Sequence, residues 1–420
     1  MYLIKIAFRN LFRRPVRTIM VAGMLSAAVL TFLTFDTFMM GLLEVSFSNI
    51  IDFETPHIEI AREKFFEDED TPGEALPLQE AFAPGKEMME EVRNLEGFQA
   101  LTAVIDFSAN FVGPRDDYPV VVRSIEPESY SQVFRNKEYI VEGEFVKEGD
   151  SGLIIGRQLA ELFELEVGDY YTLLFRDIRD SFNIIEGEIR GVVATPHPEM
   201  NQNFVLLCRK QAAGGLGLEY DKITQVMVRL DNRDAAQEQA AYLNRVLEDK
   251  GYSGYKARSY HQASQMLTSL ETWAYIENYS ILALILLVGA IGIVNAVVLS
   301  AMERAKEIGM MKAMGLKESE IVRIFFFESG GIGLIGGLLG CALGAVIVGL
   351  FSTYGIELAA IYGGVELAIG IPVIGNIYGV WNPWSFVMVF AFVVILSMLA
   401  SIYPSYWAAR KDPVEAINLK

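Results

Sequence analysis

Four long apolar stretches, separated by polar segments, set the pattern of this chain. They lie at residues 18–40, 280–302, 324–350 and 385–407. A helix that spans a bilayer needs about 20 predominantly apolar residues, and each stretch is long enough. The pattern therefore predicts a membrane protein with four transmembrane α-helices and a large α+β extracytoplasmic domain inserted between the first and second helices.

Within the insert, the apolar positions follow shorter periods. Helical spacing appears at residues 88–95, 157–163 and 235–247. Strand-like runs of apolar residues, many of them alternating with polar ones, lie at residues 57–60, 101–107, 120–125, 152–155, 170–175, 184–193, 204–208 and 223–230. A mixed α+β domain of this length can bury a core of its own, in one lobe or two.

The two ends of the insert and one acidic run add to this picture. Helical spacing continues past the first span at residues 38–50 and precedes the second span at residues 262–279, which predicts two helices that form a stiff stalk. Residues 63–73, with the acidic run 67–70, predict an exposed loop. This loop lacks the regular ligand spacing and turn glycine of a calcium-binding loop.

These patterns divide the chain into nine segments. They are a cytosolic basic segment (1–17), the first transmembrane helix and start of the stalk (18–43), the extracytoplasmic domain and stalk (44–278), the second transmembrane helix (279–302), a cytosolic connecting helix (303–320), the third transmembrane helix (321–351), an extracytoplasmic loop (352–383), the fourth transmembrane helix (384–407) and a cytosolic tail (408–420).

The distribution of charge predicts the orientation. Residues 1–17 contain five Lys and Arg and no acidic residue, which favours a cytosolic N-terminus. Four spans then return the C-terminus to the cytosol. Residues 44–278 hold 43 acidic against 22 basic residues, while the whole chain has a net charge of −18, so the insert is expected outside the cytoplasmic membrane. Its acidity argues against nucleic acid as a partner.

Candidate chemistry is sparse. Cys208 and Cys341 lie in different segments, and neither a disulfide framework nor zinc-ligand spacing is present. The dispersed His57, His197 and His261 favour ordinary packing roles over a metal site. The sequence contains no phosphate-binding loop, nucleophile elbow or dinucleotide fingerprint. We therefore predict a non-catalytic chain that binds no cofactor or metal.

The charged connector at 303–320 is the most informative segment. Helical spacing brings Glu303, Lys306 and Glu307 together. An apolar stripe of Met302, Ile308, Met311 and Met314 is available for packing, and Gly309 and Gly315 permit a close approach and then a turn. The spacing alone fits either a lever on the cytosolic side or a short solvated connector.

Ionisable residues and glycines in the spans are further candidates. Asp36, in the outer part of the first span, either pairs with a neighbour, lines a polar cavity or snorkels to the interface. Glu328, near the inner end of the third span, either reaches the interface or caps a helix junction. Glycines spaced for close helix packing follow it, at Gly333, Gly336, Gly337, Gly340 and Gly344.

Several motifs together resemble a known family. The run ERAKEIGMMKAMG (303–315), followed by ESG (328–330), is similar to the signature of FtsX/MacB-type ABC-transporter permeases. The opening AFRNLFRRPVRT (7–18) and the closing PSYWAARKDPVEA (404–416) resemble the two ends of that family. GRQLA (156–160) and LEVGD (165–169) resemble its extracytoplasmic, MacB-like periplasmic core domain. The motifs occur in family order along the whole chain.

The resemblance implies that the connector is a cytosolic coupling helix. Its contact with an ATPase would comprise Glu303, Arg304, Glu307, Ile308, Gly309, Lys312, Ala313, Met314 and Gly315. It further implies two copies of a separate ABC ATPase that binds ATP and Mg, and a second permease copy or paralogue. ATP hydrolysis would then move the outer domains, a mechanism called mechanotransmission. Because MacB carries a fused ATPase domain that is not seen here, we expect a separately encoded one.

Three classes of function stay open: an exporting or releasing permease, a signal transmitter and an enzyme. Stand-alone, lipoprotein-releasing (LolC/LolE-like) permeases of the bacterial inner membrane fit best, with a lipoprotein or another amphipathic substrate as cargo and a periplasmic carrier as a further partner. MacB-like export is the neighbouring reading. The alternative is an FtsX-like signal transmitter that activates an extracytoplasmic cell-wall hydrolase. An enzyme with its site in the insert is the third reading, although no acid–base or nucleophile constellation supports it.

Overall fold

A computed structural model describes residues 7, 9–11, 13, 15–69, 76–113, 117–357 and 376–410. Four predicted features therefore lie wholly or partly outside the described residues: parts of the basic segment at 1–17, the end of the acidic loop at 70–73, most of the loop at 352–383, and the tail residues 411–420. In the described ranges, four helices are long and apolar enough to cross a membrane. The predicted arrangement of four such helices, with an α+β domain between the first and second, is confirmed.

The helices and strands are numbered in chain order. The helices are α1 (Pro15–Phe53), α2 (Glu63–Glu69), α3 (Lys86–Arg93), α4 (Pro127–Val133), α5 (Arg157–Phe163), α6 (Pro198–Gln202), α7 (Arg209–Leu216), α8 (Ala236–Asp249), α9 (Tyr260–Ala263), α10 (Gln265–Glu303), α11 (Ala305–Ala313), α12 (Glu318–Tyr354), α13 (Pro383–Ala400) and α14 (Ile402–Arg410). The strands are β1 (Ile58–Arg62), β2 (Phe98–Phe111), β3 (Tyr118–Ile125), β4 (Ile140–Gly143), β5 (Leu153–Gly156), β6 (Tyr170–Arg176), β7 (Phe182–Val193), β8 (Phe204–Cys208), β9 (Gln225–Leu230), β10 (Tyr255–Ser259), β11 (Ile356–Glu357) and β12 (Asn376–Ile377).

The chain forms two compact units. One, here called the membrane unit, comprises Met1–Glu44, Glu271–Leu358 and Asn376–Lys420; the other, here called the inserted domain, is built mainly from Val45–Leu270. The membrane unit holds most of α1 and α10, together with α11 to α14. Helix formation continues beyond the apolar stretches: α1 runs through Phe53, in agreement with the helical spacing at residues 38–50, and α12 begins at Glu318 rather than at the predicted residue 321.

Glycines on α12 determine how closely the membrane-spanning helices approach. One row faces α1: a Cβ added at Gly336 would lie 2.8 Å from the carbonyl oxygen of Ala22, and the row continues with Gly340 and Gly344. A second row faces α13, where a Cβ at Gly333 would lie 2.6 Å from Ser397 Oγ, and it continues with Gly337 beside Phe390. Because these glycines have no side chain, α1 and α13 can both contact the α12 backbone.

The inserted domain is organised by one mixed sheet. The strand order is β10-β1-β9-β2-β3-β8-β5-β7-β4, and β6 pairs with both β2 and β7. The long strand β2 pairs with β9 along its first half and with β3 and β6 along its second half. Apolar clusters cover different parts of the sheet: one includes Phe107 and Leu207, and another includes Ile60 and Leu243. The long strand β2 is therefore common to both parts of the sheet, and a further cluster that includes Val104, Ile154 and Met227 packs across them.

Every predicted strand and helix of the insert has a counterpart in the structure, but the strands β4 and β10 and the short helices α4, α6 and α7 were missed. β4 is a short edge strand with mostly exposed side chains, and β10, Tyr-Lys-Ala-Arg-Ser, has only two apolar residues, one of which is a small alanine. The predicted exposed loop at 63–73 was wrong over its first seven residues, which form α2. Phe65 and Phe66 bury one side of this helix, and the Glu69 carboxylate pairs with the buried Arg258. The acidic run at 67–70 gave no indication of the apolar packing or of the ion pair with Arg258.

The three histidines pack separately. His197 Nε2 lies 2.8 Å from Glu54 Oε2, His261 contacts the ring of Phe47, and His57 Nδ1 accepts a hydrogen bond from the Leu230 amide at 2.9 Å. Among the described residues, no group of three or more His, Cys, Asp or Glu side chains could hold a metal ion.

We expect His57 to make stability depend on pH. Burial lowers its pKa to about 4, assisted by the positive charge of Arg229 and opposed by Asp52. Since the unfolded chain takes up the proton near pH 6.5, the stabilising contribution is present above pH 6.5 and is lost as the pH falls towards 4. Thermal unfolding of the full-length protein between pH 7.5 and 4.5 should show this loss.

The matched variant is His57→Gln, whose amide oxygen can still accept from the Leu230 amide. We expect its melting temperature to fall less than that of the wild type over the same pH interval. Parallel curves for the two proteins would contradict a role for His57 in the pH dependence.

Candidate functional site

The connector between the second and third spans is a separate short helix. α10 ends at Glu303, Arg304 leaves the helical conformation, and α11 occupies only Ala305–Ala313. The predicted single helix over 303–320 is therefore corrected to nine residues followed by a turn. Gly315 produces the turn with a φ of +94°, while its amide bonds to Lys312 O and the Leu316 amide bonds to Met311 O. This pair of bonds is a Schellman motif, which favours glycine.

A largely buried ion pair fixes the junction between α10 and α11. Arg304 Nη1 lies 3.2 Å from Glu328 Oε2 on α12, and Arg304 Nε lies 3.0 Å from Glu307 Oε2 on α11. Asn10 Nδ2 donates to the same Glu328 oxygen at 3.3 Å, and Arg13 Nη1 lies 3.3 Å from Glu307 Oε1. Only 12% of the Arg304 side chain and 14% of the Glu328 side chain are exposed. Glu328 thus pairs with Arg304, the non-helical residue between α10 and α11, instead of reaching the interface.

Lys312 ties the other end of α11 to its surroundings. Its Nζ donates to the carbonyl oxygen of Ala409 at 2.7 Å, near the end of α14, and lies 3.8 Å from Glu318 Oε1. A cation there also opposes the partial negative charge of a helix C-terminus. Ion pairs and hydrogen bonds therefore hold α11 against three other segments of the membrane unit.

The remaining predicted contact residues divide into buried and exposed ones. Ile308 and Gly309 are buried within the membrane unit, so their prediction as surface contacts is corrected. Glu303, Ala313, Met314 and Gly315 are exposed. The predicted apolar stripe is also corrected in part: Ile308 packs inside, whereas Met302 and Met314 are exposed.

An outward face of α11 remains available. It consists of Lys306, Met310, Ala313 and Met314, which recur at the three- and four-residue spacing of one helix face. Met310 is 53% exposed and Met314 74% exposed, beside an open cleft of about 520 Å³ that Arg13 and Glu307 also line. Sequence reasoning left Lys306 and Met310 out of the contact set, although their spacing from Met314 could have identified them.

Asp36 lies in a different part of the membrane unit. Its side chain is buried, and its Oδ1 accepts a hydrogen bond from Asn278 Nδ2 at 2.6 Å. The neighbouring Thr37 Oγ1 donates to Val380 O at 2.7 Å. Of the predicted alternatives, pairing with a neighbour is therefore the one observed, and the pair connects α1 with α10 away from the connector.

Comparisons with known proteins place this geometry in context. Residues 279–413 match the family described as FtsX-like permease C-terminal. An uncharacterized ABC transporter permease of Methanocaldococcus jannaschii is 24% identical, with 70% of this chain and 69% of that protein covered. The lipoprotein-releasing system transmembrane protein LolE of Haemophilus influenzae is 24% identical, with 78% of each chain covered. The macrolide export ATP-binding/permease protein MacB of Pasteurella multocida is 30% identical over 40% of this chain and 23% of its own length.

Two solved structures are similar to part of the chain. The extracellular domain of the ABC-type transporter YknZ from Gram-positive bacteria has a TM-score of 0.32 and 14% identity, with 48% of this chain and 99% of that domain covered. The periplasmic region of MacB from Actinobacillus actinomycetemcomitans has a TM-score of 0.34 and 12% identity, with 54% and 97% covered.

Proposed function

Since the chain carries an FtsX-like permease domain and is a homologue of LolE- and MacB-type proteins, we propose that it is an ABC-transporter permease subunit that works with a separate ATPase. In this proposal, ATP hydrolysis by two ATPase copies moves α11, and the movement reaches the inserted domain. The permease acts as a pair with a second copy or a paralogue, while ATP and Mg bind to the ATPase alone. The observation that carries the proposal is the exposed face of α11, a helix otherwise fixed by Arg304 and Lys312.

The chemistry of that face suits a protein partner. Met310 and Met314 offer flexible apolar contact area, and Lys306, Arg13 and Glu307 provide charges around it. Apolar contacts surrounded by polar groups are typical of protein interfaces. The methionines are too exposed to contribute much to the packing of the membrane unit itself.

We propose a cargo of lipoproteins, or another amphipathic substrate, released from the outer leaflet of a bacterial inner membrane. The similarity to LolE extends over 78% of both chains, whereas the similarity to MacB of Pasteurella multocida covers 40% of this chain. A match that extends beyond the C-terminal third favours the lipoprotein-releasing type. A periplasmic carrier would then receive the cargo from this permease.

The proposed orientation has both termini and α11 in the cytosol and the inserted domain in the periplasm. Arg9, Arg13, Lys306, Lys312 and Arg410 belong to the cytosolic segments in this arrangement, in agreement with the excess of basic residues usual there. The strongly acidic insert would then lie on the opposite side.

The test is affinity purification of the tagged full-length protein from its own host in mild detergent. We expect an ATPase with nucleotide-binding motifs to co-purify, and Met310→Glu to reduce its recovery about tenfold or more, because a carboxylate would be buried without a partner. Leu162→Glu is the matched control, since Leu162 is an equally exposed apolar residue on α5 of the inserted domain. Equal ATPase recovery with both variants would contradict the proposed contact.

The same purification distinguishes the function of the complex. An acylated protein recovered with the ATPase would support lipoprotein release. If a cell-wall hydrolase were recovered instead, without lipid-bearing cargo, the proposal of lipoprotein release would be wrong and signal transmission would take its place.

A further inference from the structure

The last turns of α1 are part of the core of the inserted domain. Ile50 and Phe53 are 0% and 2% exposed, and the Phe53 ring packs edge-on against Tyr139 with centroids 5.0 Å apart. Phe53 also belongs to an apolar cluster with Met200 and Phe204. The helix end therefore cannot shift without disturbing the packing of the domain.

Asp52 adds a charged attachment at this helix end. Its Oδ1 lies 2.7 Å from Arg229 Nη2 on β9, and its Oδ2 lies 3.5 Å from Arg135 Nη1. The Arg135 amide also donates to the backbone carbonyl of Asp52 at 3.0 Å, and Arg229 Nη1 donates to Val133 O at 2.7 Å. Asp52 thus joins the end of α1 to a strand and to the segment after α4.

The residue after the helix is held in a second way. Arg123 Nη1 donates to the carbonyl oxygen of Glu54 at 2.7 Å, while two-pronged hydrogen bonds from the same guanidinium to Asp106 fix Arg123 between β2 and β3. The Glu54 carboxylate lies 2.8 Å from His197 Nε2. Burial alone would raise the pKa of Glu54, but the hydrogen bond and charge of His197, with Arg123, lower it.

The return connection is built differently. β10 ends at Ser259, and the single-turn helix α9 occupies Tyr260–Ala263. Ser264 then adopts an extended conformation, with φ −105° and ψ 103°, and α10 begins at Gln265. Ser264 Oγ accepts a hydrogen bond from the Leu267 amide, so the residue caps α10 rather than continuing α9 into it. One non-helical residue therefore interrupts this connection, whereas α1 has no interruption between Pro15 and Phe53.

We propose that α1 is the arm through which movement enters the inserted domain, that Asp52 and Arg229 are its positioning pair, and that Ser264 is a hinge. This inference rests on the proposed function. A rigidly attached helix transmits displacement to the inserted domain, because its last turn packs in the core, its Asp52 carboxylate is held by β9, and the Glu54 carbonyl that follows it is held by β3. The helix α10 can change its angle at the hinge Ser264, so the movement requires no distortion of β10.

The experiment measures amide hydrogen exchange of the full-length protein bound to its co-purified ATPase, with and without a non-hydrolysable ATP analogue. In the wild type, the analogue should change exchange in β3 and β9. The charge-neutral double variant Asp52→Asn/Arg229→Gln should lose this change while basal ATP hydrolysis persists. Asp52→Glu, which keeps the carboxylate, should retain it.

A matched pair of serine variants tests the two connections without touching the charged attachment. Ser48→Gly weakens α1 at an exposed position, and Ser264→Gly leaves the hinge extended. We expect the exchange response to decrease in Ser48→Gly and to remain in Ser264→Gly. Because both substitutions are mild, the comparison remains valid if the double variant fails to fold.

The outcomes separate this inference from the proposed function. Wild-type protein that binds the ATPase but shows no response in β3 and β9 would overturn the proposed transmission of movement. A wild-type response that persists unchanged in the double variant, or that is lost in Ser264→Gly but not in Ser48→Gly, would overturn the assignment of α1 as the driving arm.

Discussion

Replacing Arg304 with methionine should destabilise the membrane unit by about 2–3 kcal/mol, because the substitution leaves a largely buried carboxylate without its cation. Glu328 is 14% exposed and has Arg304 Nη1 at 3.2 Å, while Asn10 supplies a single neutral donor. Methionine retains the length and the apolar part of the arginine side chain, so the change chiefly removes charge. Thermal unfolding of the full-length protein in detergent would measure the loss.

The double variant Arg304→Met/Glu328→Met supplies the control. Removing both charges together should recover much of the stability, because no charge then remains buried without a partner. If Arg304→Met alone were as stable as the wild type, Glu328 would not depend on Arg304. If the double variant were no more stable than the single one, packing rather than charge would account for the effect.

The stable double variant also separates stability from coupling. Without the ion pair, the junction of α10 and α11 is no longer tied to α12 by charge, although the exposed face with Met310 is unchanged. We therefore expect the double variant to bind the ATPase and to couple ATP hydrolysis poorly to changes in the inserted domain. Full coupling would show that the junction is held adequately by apolar packing and by Lys312.

Arg304 also shows which part of the site could be predicted from the sequence. The motif identified the segment, and the glycine at 315 identified its turn, because both depend on neighbours along the chain. Which side chains of the connector point inward depends on α12, because Arg304 pairs there with Glu328, 24 residues later in the chain. Helical spacing within 303–315 cannot reveal a charge contributed by another helix, so Arg304 and Ile308 were placed on the surface and Met310 was overlooked.

The fold was predictable to a similar depth. Long apolar stretches and the longer strand-like runs determined the spans and eight strands, since these elements bury a regular face. The polar strand β10 and the short helix α2 depend on tertiary contacts, including the pair formed by Glu69 and Arg258. The attachment of α1 through Asp52 likewise joins residues 177 positions apart, and nothing local marks it.

The glycines of α12 should give the second large effect. Gly340→Ala would place a Cβ 2.6 Å from Val29 Cβ and 2.9 Å from the carbonyl oxygen of Ser26, so α1 and α12 would have to separate. We expect a loss of about 1–3 kcal/mol, as for other overpacked sites. Unfolding of the purified protein by heat or by a graded denaturing detergent would measure it.

Two other glycines provide graded controls. At Gly344 the first obstacle is the end of the Leu33 side chain, 2.5 Å away, with the next atom at 3.4 Å, so a rotamer change can absorb part of the clash. At Gly23 a Cβ would meet nothing within 4 Å, and alanine should be neutral or stabilise α1 by up to about 1 kcal/mol. The expected order of stability is therefore Gly23→Ala, then Gly344→Ala, then Gly340→Ala. Equal stabilities would mean that α1 and α12 do not pack as closely as the missing side chain at Gly340 permits. The proposed role of α1 as an arm requires that it pack rigidly in the membrane unit, so this result would remove the support for that role.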